Sequence, residues 1–259
     1  MPNSKPNPKP NKLPDKKSMP QPSRYQMIDL LRGIAILMMF SYHFSFDLHY
    51  YGFIVQDFYN SAFWVYYRSL IVSLFLLLVG VSLHLATAKG IKTASYFRRL
   101  GLLLFFAGLV SITTYLQFAE RMIFFGILHF IAVASILALA FTRFYWFNLI
   151  TGIAMIVLAL SVQHVFFDQP LLQWFGLMTH KPLTEDYVPL LPWFGVVLIG
   201  LFLGKFIYQN NSMPLFQNWH SHHIAVRTLT FAGRHSLLIY MLHQPVFMGL
   251  LYIPYKIIH

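Results

Sequence analysis

The stretch that decides the fold is residues 28–48, IDLLRGIAILMMFSYHFSFDL, an apolar run interrupted by Asp29, Arg32, His43 and Asp47. Its length suits a membrane-spanning helix, which needs about 20 mostly apolar residues. Ionisable groups in such a span are costly and are usually retained for a function. At about 100° per residue, Asp29 and Asp47 point the same way, and Arg32 and His43 fall within roughly 60° of them. All four are therefore expected on one helix face. Arg32 and His43 are separated by about 16 Å along the axis at 1.5 Å per residue, so that face runs from one membrane boundary towards the other.

The rest of the chain agrees with this reading. Of its 259 residues 57% are hydrophobic and only 10% charged, and the mean hydropathy is +0.58, well to the apolar side of soluble usage. The apolar runs are continuous rather than alternating, which excludes a closed β-barrel. The expected class is an all-α, polytopic membrane bundle of about seven helices, near 27–48, 69–88, 100–117, 122–141, 146–166, 191–207 and 236–255. The chain has no cysteine, so thiol nucleophiles, disulfides and cysteine metal sites are excluded together.

The formal charge of +11 sits at span ends and in the N-terminal segment, which favours positive-inside topology over nucleic-acid binding. Residues 1–23 are rich in Pro, Asn and Lys and read as a disordered cytoplasmic tail, followed by one membrane domain over 24–259. The tail lacks the apolar region and cleavage site of a signal peptide, so the first span is expected in the mature protein. Lys89, Lys92, Arg98, Arg99, Arg143, Lys205, Arg227 and Arg234 fall on the tail's side, giving an N-terminus inside and a C-terminus outside.

Several polar groups are candidates for chemistry. Asp29 and Arg32 lie near the inner end, where they can pair locally or offer a guanidinium fork to phosphate. His43, deeper, is a candidate base, and Asp47, one turn on, is placed to orient it. His129 lies in FFGILHF, beside Gly126. His243 lies in LLIYMLHQPVF before Gln244 and Pro245, where the proline disturbs the backbone at membrane depth. The outer connection, 168–190, carries Trp174, His180, Glu185, Asp186 and Tyr187, groups that suit a sugar or simply an aromatic belt. The inner connection, 209–234, contains His220, His222 and His223 and reads as a solvated loop, with no metal expected. The basic segment KGIKTASYFRR sets topology, meets anionic lipid, or holds donor phosphates. A proton-coupled transporter or flippase, with the buried Asp and His groups as a relay, is the alternative function; no inverted repeat supports it.

Together RYQMIDLLRGIAILMMFSYHFSFDL, SLFLLLVGVSL, YFRR, FFGILHF, DYVPLLPWFGVVLIG and GRHSLLIYMLHQP resemble the bacterial branch of the heparan-α-glucosaminide N-acetyltransferase catalytic-domain family. The likeness runs from Arg24 to the C-terminus and keeps the motif order. The Arg32 to His43 spacing is also similar to the R-X10-H signature of acyltransferase-3 membrane enzymes. The resemblance implies transfer of an acetyl or other acyl group from cytoplasmic acyl-CoA to an acceptor, a sugar or glycoconjugate, at the outer face of a bacterial cytoplasmic membrane. It implies His43 as base with Asp47 beside it, and Asp29, Arg32, Arg98 and Arg99 near the donor's phosphates. His129, Asp186, Tyr187, Trp193, His243 and Gln244 are then the candidates for the acceptor's side.

Overall fold

A computed structural model describes residues 25–88, 90–209 and 219–258; the expected disordered tail and Lys89 lie outside them. Among the described residues the chain is all-helical, with no strand. The helices are α1 (Gln26–Tyr50), α2 (Ala62–Thr87), α3 (Thr93–Phe118), α4 (Ile127–Leu137), α5 (Trp146–Ser161), α6 (Leu190–Gly204), α7 (Ile224–Arg234) and α8 (Ser236–Ile258). Five segments are long and apolar enough to cross a membrane, those of α1, α2, α3, α8, and α6 extended to Tyr208. The other two expected spans are shorter apolar helices, Ile127–Phe141 and Trp146–Ser161. At 1.5 Å per residue these reach about 22 and 24 Å, short of a hydrocarbon core of about 30 Å. The expected span at 146–166 stops at Ser161 because the chain turns extended at Val162 (φ −123°, ψ 122°).

Helix α6 is at the centre. It is apolar all round, as a helix buried on every side must be, and Val197, Leu198 and Leu201 are at most 1% exposed. Small residues bring its neighbours close. A Cβ on Gly80 of α2 would collide with the Val197 carbonyl, and one on Gly195 would approach Met155 and Ile156 of α5. Where lipid tails are as apolar as the side chains, such close backbone approach supplies much of the association through dispersion. The outward faces of α3 and α8 stay apolar and exposed, with Phe105, Leu116, Leu250 and Ile257 more than half accessible, as lipid contact requires.

Residue pairs fix the helix directions. Arg32 meets Ser82 while Ser41 meets Tyr67, so α1 and α2 run antiparallel. His43 meets His243 while Tyr51 meets Met248, so α1 and α8 run parallel. The first and last helices of the bundle thus lie side by side and point the same way.

One expectation is corrected here. The connection 209–234 contains a helix, α7, rather than only a solvated loop. The His223 side chain accepts the Ala225 N–H at its start, satisfying one of the free donors of the first turn. Gly233 of α7 crosses α1 so closely that a Cβ would meet the Asp29 carbonyl, and a Cβ on Gly33 would meet that of Leu229. Gln26 fixes the same crossing, donating to the Ser221 carbonyl at 3.0 Å and accepting the Ser221 N–H at 2.9 Å.

Candidate functional site

The polar face of α1 is covered along its length by α7 and then α8. Asp29 and Asp47 are 2% and 1% exposed, and Arg32 keeps 21% of its side chain accessible. The four groups therefore face into the bundle, but they divide into two sets with different partners.

At the N-terminal end of α1, Asp29 is the hub. Its Oδ1 accepts from Arg32 Nη1 and its Oδ2 from Nε of Arg234, each at 3.1 Å. Arg32 also donates through Nη2 to Ser82 Oγ, and Ser82 donates to the Leu78 carbonyl at 2.6 Å. Three helices, α1, α2 and α7, are thereby joined through one carboxylate. Charge-assisted bonds of this kind are about twice as strong as neutral ones; the carboxylate is buried, while Arg32 and Arg234 keep 21% and 44% of their side chains accessible. In the sequence Arg234 reads only as a topology charge; a guanidinium directly after a glycine crossing is the signal that marks it.

Towards the C-terminal end of α1, His43 lies against His243, with ring centroids 4.8 Å apart and planes at 64°. Asp47 does not hold His43. Its Oδ1 accepts from Gln244 Nε2 at 2.7 Å, because α8 presents that amide on the seam and one turn of α1 separates the two side chains on their own helix. His243 directs Nδ1 at the Tyr240 carbonyl, and the rings of Phe40 and Phe247 pack on it, each with centroid 6.0 Å away. Three buried polar atoms on this seam have no hydrogen-bond partner among the described residues: Asp47 Oδ2, Gln244 Oε1 and His243 Nε2. Unmet buried polar atoms are rare in folded chains, so three on one seam mark a place built for something else.

Other expected site residues are engaged locally. His129 accepts the Gly126 N–H at Nδ1 (3.3 Å) and contacts Ser111 Oγ through Nε2 (3.1 Å), which ties α4 to α3. Asp186 accepts the Ile127 N–H at 2.9 Å, capping α4 from the connection between α5 and α6, and its Oδ2 lies 3.5 Å from the Tyr240 hydroxyl. Burial raises the Asp186 carboxyl above its ordinary range, since a low dielectric disfavours the charged form. Tyr187 donates to the Gln173 carbonyl at 2.5 Å, and burial raises its hydroxyl too. Trp193 packs on the core between α2, α4 and α6, away from the His43 seam. Arg98 and Arg99 are exposed in the first turns of α3.

The connection itself is held by local bonds. Asp168 accepts from the Thr179 N–H at 2.8 Å and hydroxyl at 2.7 Å, which lowers its carboxyl below the ordinary range. Beside it lies a cleft of about 440 Å³ lined in part by Glu120, Phe124, Gln173, His180 and Lys181. Burial lowers the Lys181 ammonium first, with Arg68 adding to the effect. No group of three or more His, Asp or Glu suited to a metal occurs among the described residues.

Residues 24–245 match the family model described as heparan-alpha-glucosaminide N-acetyltransferase, catalytic. The chain belongs to this family. Comparison with curated proteins and with solved structures gave no match. Membership in the heparan-α-glucosaminide N-acetyltransferase catalytic family makes the chain a membrane transferase of the acetyltransferase kind. Within it, both polar sets of α1 and their partners up to Gln244 fall inside the matched residues, whereas the end of α8 lies beyond them.

Proposed function

We propose that this chain is a membrane acyltransferase that moves an acetyl or other acyl group from cytoplasmic acyl-CoA to an acceptor, a sugar or glycoconjugate, on the outer side of a bacterial cytoplasmic membrane. The observation that carries the reading is the seam between α1 and α8, where His43, His243, Asp47 and Gln244 gather at membrane depth with three polar atoms unmet. Family membership supplies the reaction class.

The donor fits the polarity of α1. Arg98 and Arg99 are exposed where α3 begins, on the side that also carries Arg234, and an arginine fork suits phosphate oxygens. Asp29 and Arg32 complete this end, with Asp29 holding the guanidinium in place. About 16 Å separates Arg32 from His43 along the helix at 1.5 Å per residue, room for an extended thioester arm. At the far end a base next to the acceptor takes its proton as it attacks the thioester, a role typically worth about 10²–10⁴ in rate. His43 and Asp47 stand there, with His243 and Gln244 facing them. Asp186, Tyr187, His129 and Trp193 shape the outer wall through which the acceptor would arrive.

The test is turnover. Purified protein in lipid nanodiscs, given radiolabelled acetyl-CoA and amino sugars, is expected to form an acetylated sugar, and replacing both histidines of the seam, His43→Ala with His243→Ala, is expected to abolish it. Absence of turnover, together with proton-driven uptake of a solute without any acyl donor, would replace this reading with a transporter.

A further inference from the structure

The seam between α1 and α8 carries more than a site; it fixes which nitrogen is basic. A carbonyl oxygen has no hydrogen to give, so the contact between His243 Nδ1 and the Tyr240 carbonyl requires a proton on Nδ1. In the neutral ring the lone pair is then on Nε2. That atom is buried and has no hydrogen-bond partner among the described residues, while the ring is clamped by Phe40, Phe247 and His43. His43 has no comparable anchor: no hydrogen bond to its ring is found among the described residues, so its tautomer is not set.

The two other unmet atoms on the seam are of the same kind. Asp47 Oδ2 accepts only, and Gln244 Oε1 accepts only while its amide nitrogen is given to Asp47. All three unmet atoms are acceptors, which suits a ligand rich in N–H or O–H groups. A buried acceptor left unmet costs about 1–3 kcal/mol, so a ligand that supplies the donors gains what the empty fold forgoes.

We infer that Nε2 of His243 is the proton acceptor of the transfer reaction, and that Asp47 and Gln244 hold the attacking group, one bearing two or more N–H or O–H donors. The inference rests on the acyltransferase reading above and assigns the base within it to α8 rather than α1. As the attacking nitrogen or oxygen forms its bond to the acyl carbon, its proton passes to Nε2. The carbon–sulfur bond then breaks, and the departing thiolate takes that proton back from Nε2, leaving the ring neutral. The proton on Nδ1 never moves, because the Tyr240 carbonyl holds it throughout.

The experiment compares His243→Asn with His43→Asn in the full-length protein in nanodiscs, using acetyl-CoA with glucosamine in one arm and N-acetylglucosamine in the other. Asparagine at 243 keeps an N–H for the Tyr240 carbonyl but has no titratable nitrogen. Its kcat is expected to fall about 10²–10⁴-fold, with the KM for acetyl-CoA unchanged and the acid limb of the wild-type pH profile lost. Asp47→Asn is expected to raise the acceptor's KM about tenfold, the equivalent of 1.4 kcal/mol, again with acetyl-CoA unaffected. Turnover with glucosamine alone identifies an amine as the attacking group, and turnover with both sugars identifies a hydroxyl; either supports the site. Near-normal kcat in His243→Asn, with activity lost in His43→Asn, returns the base to α1 and overturns the inference while the acyltransferase reading stands. A wild-type protein that acetylates neither sugar removes the reading itself.

Discussion

The two halves of α1 handle buried charge in opposite ways. In the N-terminal half Asp29 is held between two guanidiniums, and Arg32 reaches a serine on a third helix. In the C-terminal half Asp47 has a neutral amide for company and keeps one oxygen unmet, and His243 keeps a bare nitrogen. Both carboxylates are almost inaccessible, so burial does not distinguish them; completeness of pairing does. A buried polar network that is fully satisfied fixes a structure, whereas one left incomplete is destabilised until a ligand fills it. The N-terminal half of α1 is therefore a joint, and its C-terminal half holds the unmet atoms that the proposed site would use.

The sharpest way to break this comparison is to exchange the treatments. Asp29→Ala leaves two partly accessible guanidiniums without their carboxylate and is expected to cost up to about 3 kcal/mol; the loss is read as a lowered Tm in detergent. If Asp47→Ala were equally damaging to Tm, the distinction between joint and site would fail. At the same joint, Gly33→Val drives a side chain into the Leu229 carbonyl, and an overpacking loss of about 1–3 kcal/mol is expected. Arg234→Ala should be milder, about 1 kcal/mol or less, because that side chain is 44% accessible and solvent screens its half of the pair.

For the C-terminal half the expected pattern is reversed: Asp47→Asn should leave stability within about 1 kcal/mol of wild type while acceptor use falls. The smallest effect is expected at Asp186. Burial raises its carboxyl above the unfolded value, so the folded state binds that proton more tightly, and the ionised group opposes folding at neutral pH. Stability attributable to Asp186 therefore increases as pH falls through the raised folded value towards the unfolded one. Asp186→Asn should flatten that part of a Tm against pH curve.

Periodicity alone placed Asp29, Arg32, His43 and Asp47 on one face, because a single helix dictates its own angles, and the structure turns that face inward. What covers the face was not legible, since Arg234 and Gln244 lie 205 and 197 positions from their α1 partners and only packing brings them there. Asp47 one turn after His43 looked like an orienting carboxylate, yet the amide of Gln244 is its partner instead. Helix α7 escaped notice because its sequence, IAVRTLTFAGR, mixes threonines and arginines with apolar residues and buries mainly Thr230 and Gly233 rather than large side chains. His223 before it and Gly233 near its end were the available cues. The short α4 and α5 illustrate a further limit: an apolar run gives the composition of a span but not where the helix stops, which at Ser161 is set by the extended backbone that follows.

The long separation between α1 and its partners also has a consequence for biosynthesis. A ribosome adding about 5–20 residues per second needs about 10–40 s after making Asp47 to deliver Gln244. During that interval α1 enters the bilayer carrying ionisable groups whose companions do not yet exist. Asp29 and Arg32, three residues apart on one helix, can neutralise each other as soon as they are made, whereas His43 and Asp47 must wait for the last helix. Completion of the C-terminal half of α1 is thus expected to wait for the end of the chain, and the step most exposed to failure in the cell is the docking of α8.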